Sequence, residues 1–419
     1  MNLILELAYG HGHQTVSISK ERLLGLFSTT AETQGGDETT ILRAALDNPV
    51  NSPPLRDLVR PGQRVVIVTS DLTRPCPSER LLPPVLDELS AAGVPDQDIT
   101  VVAALGLHRP MTEDELKQMV GPDVYRRVRV INHDPEETIR LGETSRGTPV
   151  EIFRPVVEAD VRICLGNLEF HYFAGYSGGA KAILPGCASR ATVNANHAMM
   201  VRPESATGRI EGNPVRADLE EGAAMVGADF CLNVIVDAEH RIQAAVAGDV
   251  TAAHRAGCEG VAQRGKLPLS APADIVLVSA GGFPKDINLY QAQKALDNAG
   301  YAVRDGGVII LLAECGEGFG NRTFERWMLE AASPDEVLER IQVEFVLGGH
   351  KAAALASVLK RADVYLVSTM LPELVSQCGM RPFSNVQAAL EKAIEELGLV
   401  ASVAVLPAGG SVLPAIAEV

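Results

Sequence analysis

The sequence predicts an α/β protein made of two α/β domains with largely parallel sheets. Three observations carry that expectation. Apolar β-branched runs alternate with helix-periodic segments along most of the 419 residues. Hydrophobic residues make up 46% and charged residues 21%, the balance of a folded globular chain. Aromatics supply only 4%, so the core must be built from Val, Leu, Ile and Ala, which suits parallel strands covered by helices. A chain of this length exceeds one ordinary core, hence two domains.

The elements follow in order. Residues 64–69, Arg-Val-Val-Ile-Val-Thr, read as a buried strand. Leu81, Leu82, Val85, Leu86 and Leu89 then show helical spacing over 78–92. A strand over 99–104 precedes a helix over 112–120, opened by a Thr112-x-x-Glu115 capping box. Residues 161–165 form a third strand, followed by a glycine-rich loop and a helix starting near Ala191.

Gly265, Pro268, Ser270 and Pro272 then break the pattern over 260–272 and predict a linker. Beyond it come a strand over 275–279, a Gly281-Gly282 turn, a helix over 288–299, and strands over 308–312 and 364–368. A last strand over 402–406 fits either domain. The expected partition is a domain over 1–270, which 400–419 can join, and a second over 274–398.

Charge and composition exclude several function classes. A net charge of −16 without a Lys/Arg run argues against nucleic-acid and anionic-membrane partners. A local cationic pocket can still hold a carboxylate, because close charges outweigh a screened distant field. The seven cysteines are scattered without a C-x-x-C pair, as expected of reduced thiols rather than a disulfide framework or a zinc site. The N-terminus lacks the features of a signal peptide, and no segment offers about 18 uninterrupted apolar residues. The expected location is the cytoplasm.

In open α/β sheets, ligands gather beyond the carboxyl ends of the strands. Asp71-Leu72-Thr73-Arg74-Pro75 follows the first strand, Gly106-Leu107-His108-Arg109-Pro110 the second, and His171 through Lys181 the third. Gly281 through Asp286 follows the first strand of the second domain. This placement predicts an active site in the cleft between the domains.

Lys181 closes a run in which Gly175, Gly178 and Gly179 crowd into five residues. A flexible surface loop is one reading. A phosphate loop is another, although the Walker pattern needs Gly directly before Lys, and Ala180 stands there. His108 and His171, on separate strand-end loops, supply two groups that titrate near neutrality, as a two-faced proton transfer requires. His197 is a candidate metal ligand with no second ligand close in sequence, so most of a metal's ligands must come from elsewhere, such as a cofactor. His133 reads as a turn residue beside Pro135. Arg74 suits a carboxylate or phosphate clamp oriented by Asp71. Gln291 and Lys294 share one helix face, with Tyr290 just before them.

Together these segments resemble the lactate racemase family of nickel-pincer enzymes. The matching pieces are Asp-Leu-Thr-Arg-Pro (71–75), Gly-Leu-His-Arg-Pro (106–110), the stretch from Gly166 to His197 with its Ser-Gly-Gly-Ala-Lys core, and residues 284–295. Gly10-His11-Gly12-His13 has no counterpart in the resemblance.

The resemblance implies a racemase or epimerase of small 2-hydroxy acids, working by reversible hydride transfer. It implies nickel, held by a pincer pyridinium mononucleotide covalently attached to Lys181, with His197 as the protein's nickel ligand. His108 and His171 are then the acid/base pair, and Arg74, Gln291 and Lys294 hold the substrate. Asp71, Thr73, Arg74, Ser177, Gly178, Gly179 and Tyr290 line the cofactor. Cofactor-maturation enzymes are the implied partners. The residues alone leave two alternatives: a Schiff-base or phosphate-binding lysine in a lyase or kinase, and a non-catalytic nickel-cofactor-binding protein.

Overall fold

Parallel strands buried on both faces generate both halves of the molecule, seen in a computed structural model that describes residues 2–28, 37–237, 240–343 and 345–416. The chain divides into two units, Ala31–Gln263 and Met1–Thr30 with Arg264–Val419. It opens with an antiparallel hairpin, β1 (Asn2–Tyr9) and β2 (Gly12–Ser19), and a short strand β3 (Leu23–Leu26). Tyr9 pairs with Gly12, so the Gly10-His11 pair is a two-residue hairpin loop, and Gly10 takes the φ of +53° that such a loop favours. His11 stacks on Phe283 at 4.3 Å between ring centroids.

The unit Ala31–Gln263 contains β4 (Val65–Ser70), β5 (Ile99–Ala104), β6 (Arg129–Asn132), an antiparallel ribbon of β7 (Thr138–Glu143) and β8 (Pro149–Phe153), and β9 (Val161–Asn167). A small hairpin, β10 (Phe170–His171) and β11 (Gly175–Tyr176), precedes β12 (Phe230–Val236) and β13 (Ile242–Gly248). The main sheet has the order β13-β12-β9-β4-β5-β6, parallel except for the β12–β13 pair.

Successive side chains on a strand point to opposite faces. Val65 and Ile67 accordingly enter one apolar layer with Leu81, Leu82 and Leu86 of the helix Ser78–Ala91. Val66 and Val68 enter the other, with Val193 of the helix Arg190–Ala198 and Leu219 of the helix Pro214–Val226. From β4 the chain steps to β5 and β6 on one side, while β9 and β12 lie on the other. The strand order thus reverses between β4 and β9, which makes their carboxyl ends the topological switch point where ligands collect.

The other unit adds β14 (Lys266–Leu269), β15 (Ala273–Ser279), β16 (Val303–Leu312), β17 (Asp363–Val367), β18 (Arg381–Phe383), β19 (Val403–Leu406) and β20 (Leu413–Ile416). Its sheet runs β18-β17-β16-β15-β19-β3 with every pair parallel, and its order reverses between β15 and β19.

Here the structure departs from the expected partition. Leu7, Val16 and Ile18 of the opening hairpin pack with Ile275, Leu277, Val308 and Val403, and β3 pairs with β19. The first residues therefore belong with the second half of the chain, as do 400–416. The stretch expected as a linker holds the end of the helix Val250–Gly265 and β14, which pairs with β20.

Candidate functional site

Beyond β9, the segment carrying His171 is held from beneath by a buried arginine. Arg216, 1% exposed, donates from Nε to the Ala174 carbonyl at 3.1 Å and from Nη2 to the Tyr176 carbonyl. Burial draws its guanidinium down to about 10, partly offset by Glu220, so it remains cationic at neutral pH.

The Ser177-Gly178-Gly179 turn is fixed just as closely. The Asn233 side chain accepts the Gly179 N–H at 3.1 Å, and His254 Nε2 donates to the Ser177 carbonyl at 2.9 Å. Gly178 and Gly179 adopt φ of +74° and +58°. A Cβ would fall 2.6 Å from Asn233 Oδ1 at the first and 2.7 Å from the His254 ring at the second. Only glycine meets both demands.

This scaffold brings Lys181 against His171, with Nζ 3.3 Å from Nε2. The Ala174 N–H points at His171 Nδ1 at 3.3 Å, so the neutral ring carries its proton on Nε2 and donates to the amine. The electrostatics agree. Burial, then the charges of Arg216 and Arg74, hold the Lys181 ammonium well below the ordinary lysine range, with Glu169 opposing. Burial, then Lys181 and Arg74, likewise push His171 well below the usual imidazole value. Both shifts favour the uncharged forms, and the uncharged lysine amine is the nucleophilic one.

Phe173 gathers the rest. Its ring centroid lies 4.6 Å from that of His171, 4.9 Å from that of His197 and 5.6 Å from Lys181 Nζ.

On the adjacent strand ends, His108 Nδ1 is 2.6 Å from Asp71 Oδ2. Thr73 donates to Asp71 Oδ1 from its backbone N–H at 2.8 Å and its hydroxyl at 2.6 Å. Burial pushes the Asp71 carboxyl up, yet the His108 and Thr73 hydrogen bonds outweigh it and leave the group below its usual value. Arg74 is exposed in the same turn, where its N–H donates to the Asp71 carbonyl. The His108 turn locks to the lysine loop, since Gly106 N–H donates to Gly186 O at 2.9 Å and Gly186 N–H to Lys181 O at 3.1 Å. Asp71, Thr73, Arg74, His108, His171, Ser177, Gly178, Gly179, Lys181 and His197 thus all sit in one unit, on segments that follow the carboxyl ends of β4, β5 and β9.

Tyr290, Gln291 and Lys294 lie in the other unit, on the helix Leu289–Ala299 that follows β15. Asn288 caps it by accepting Gln291 N–H at 3.0 Å. The Leu289 and Tyr290 N–H groups donate to the carbonyls of Gly318 and Phe319 at 2.9 and 3.2 Å. Gln291 is exposed, Lys294 is half-buried, and Lys351 Nζ stands 4.9 Å over the Tyr290 ring. This helix occupies the second switch point, beside β19.

Arg216, Asn233 and His254 were not legible as site residues in the sequence. They sit 40, 54 and 77 residues from the atoms they hold, without a motif around them. His133, expected in a turn, is buried at 1% exposure. Among the described residues, no group of three or more His, Cys, Asp or Glu is arranged to hold a metal ion. None of the helices among them is long and apolar enough to cross a membrane.

Comparison with known proteins identifies the family. Residues 9–208 match the lactate racemase N-terminal domain, and residues 269–414 the lactate racemase C-terminal domain. Lactate racemase from Thermoanaerobacterium thermosaccharolyticum is 35% identical over 98% of both chains. Lactate racemase from Lactiplantibacillus plantarum is 32% identical over 98% of this chain and 99% of its own. The solved apoprotein of the Thermoanaerobacterium enzyme superposes with a TM-score of 0.92 at 34% identity, covering 99% of this chain and 100% of that one. A Thermotoga maritima crystal structure shares the fold at a TM-score of 0.65 and 19% identity, over 93% of this chain and 100% of that one. On two domain matches and two full-length relatives, the chain belongs to the lactate racemase family, whose members named here are racemases, enzymes of the isomerase class.

Proposed function

We propose that this protein interconverts the stereoisomers of a small 2-hydroxy acid, lactate or a larger relative, using nickel held by a pincer pyridinium mononucleotide attached at Lys181. The observation that carries this reading is Lys181 held 3.3 Å from His171 and grouped with it and His197 around Phe173. The relatives named lactate racemase support it.

The residues present fit such a cofactor. A lysine whose pKa is lowered suits covalent attachment, and an imidazole outside any group of three or more His, Cys, Asp or Glu among the described residues suits a metal whose other ligands are brought by the cofactor. When bound, the group supplies an acceptor and donor for the hydride on the carbon that bears the hydroxyl.

The chain's own residues do the rest. Asp71 accepts His108 Nδ1–H, which leaves Nε2 as a base for the substrate hydroxyl. With Lys181 holding the group, His171 Nε2–H would be available as a proton donor. The two histidines exchange roles for the opposite enantiomer. Arg74, in the same turn as Asp71, holds the carboxylate while the planar 2-keto acid presents its other face.

The test is expression with cofactor-maturation enzymes, followed by intact-mass analysis, nickel determination and chiral chromatography of 2-hydroxy acids. A nucleotide-sized adduct on Lys181, with racemisation lost in His108→Ala and His171→Ala proteins that retain nickel, is the expected result. Undiminished turnover in either variant removes the two-base mechanism. A neutral buried lysine also favours a second reading, condensation with a carbonyl substrate. Borohydride trapping of such a substrate on an otherwise unmodified Lys181 is the outcome that selects it.

A further inference from the structure

Asp218 is a buried carboxyl without a part in the chemistry above. It is 0% exposed on the helix Pro214–Val226, and it accepts the Thr144 hydroxyl at one oxygen. Its other oxygen accepts Asn196 Nδ2 at 2.8 Å, and the same amide nitrogen reaches the Val215 carbonyl at 3.2 Å. Asn196, also 0% exposed, therefore spends its NH2 group on two acceptors. Turned the other way, its oxygen would face both of them. Its orientation is thus determined, and Oδ1 is left 3.0 Å from His197 Nδ1.

A carbonyl oxygen can only accept, so Nδ1 must carry the ring proton and Nε2 the lone pair. We infer that Asp218, acting through Asn196, is a positioning residue that fixes the His197 imidazole with Nδ1 protonated and Nε2 presented as the metal-binding atom. The inference rests on the reading of His197 as the metal ligand. It adds how the chain makes the lone pair available: the proton is placed on the far nitrogen before any metal arrives, through two residues of the apolar layer beneath the site.

The decisive measurement is an NMR correlation of the imidazole nitrogens in 15N-labelled apoprotein, with the His197 signals assigned by their loss in His197→Gln. The wild type shows Nδ1–H and a bare Nε2. Asp218→Asn, which keeps an oxygen acceptor, preserves that pattern. Asp218→Leu and Asn196→Leu release it, giving mixed or Nε2–H tautomers. In protein matured with its partners, the two leucine variants retain the Lys181 adduct but hold nickel roughly 10- to 100-fold more weakly. An Nε2–H tautomer in the wild type overturns the relay whatever the variants do, even if neither leucine variant folds. A His197→Ala protein that keeps its nickel instead overturns the metal role on which the relay depends, so the two failures are distinguishable.

Discussion

Lys181 Nζ and His171 Nε2 stand 3.3 Å apart, the ring placed to donate and the amine to accept. Two positive charges at that distance in a half-buried site would repel strongly, and the Ala174 N–H at His171 Nδ1 selects the neutral tautomer.

A first prediction concerns reactivity. Lys181 carries a lowered pKa, so its amine form persists at pH values where ordinary lysines are protonated. Competitive labelling with a small acylating reagent across pH, read by mass spectrometry, is expected to show Lys181 reacting well below the titration range of Lys392, which is raised by Glu395. Arg74→Ala is expected to move the Lys181 curve upward. A Lys181 curve coinciding with that of Lys392 contradicts the assignment.

Asp71→Asn tests the orientation of His108. The amide can present its NH2 to Nδ1, which places the ring proton on Nε2 and removes the base. A fall in kcat on the order of 10²-fold is expected, with nickel content and the Lys181 adduct unchanged. Unchanged kcat removes Asp71 from the mechanism.

Gly178→Ala and Gly62→Ala separate backbone strain from contact. Both glycines have positive φ, +74° and +85°, but only at Gly178 does a Cβ strike Asn233 and Leu168, whereas nothing lies within 4 Å of one at Gly62. Each substitution costs about 1–3 kcal/mol for the conformation alone. The Gly178 variant is expected to unfold at a distinctly lower temperature than the Gly62 variant and to lose Lys181 loading as well. Equal melting temperatures mean that the turn yields without cost.

His133 makes acid stability a separate test. Its ring is buried, neither nitrogen has a hydrogen-bond partner among the described residues, and burial lowers its pKa from 6.5 to about 4, slightly opposed by Asp134. A histidine depressed on folding contributes stability above its unfolded pKa and loses it as pH falls through the folded value. The window is therefore pH 6.5 down to about 4, and the loss approaches about 3 kcal/mol at its acid end. His133→Leu is expected to flatten denaturant-measured stability across that window. A parallel pH dependence in both proteins shows that His133 does not titrate on unfolding.

Much of this was legible in the sequence because local patterns report local physics. The Thr112–Glu115 capping box is present in full, and β5 spans the residues that its apolar run marked out. Lys181, His171 and His108 stood out because each follows a strand inside an unusual loop. What stayed hidden depends on partners distant in the chain. Asp218 reads as one more polar residue on an amphipathic helix until Asn196, 22 residues away, is seen against it. Residues 1–28 could not be assigned from composition, since only the packing of Leu7, Val16 and Ile18 on a sheet formed some 250 residues later places them.

Arg216 carries a consequence beyond its hydrogen bonds. Because its Nε and Nη2 are already committed to the carbonyls of Ala174 and Tyr176, the segment between His171 and Ser177 is ordered when the chain folds. The entropy of arranging it is settled during folding, and a ligand arriving later need not supply it. Affinity at this site then depends on the contacts made and not on taming a loop, so it should vary little with osmolytes that merely favour compact states.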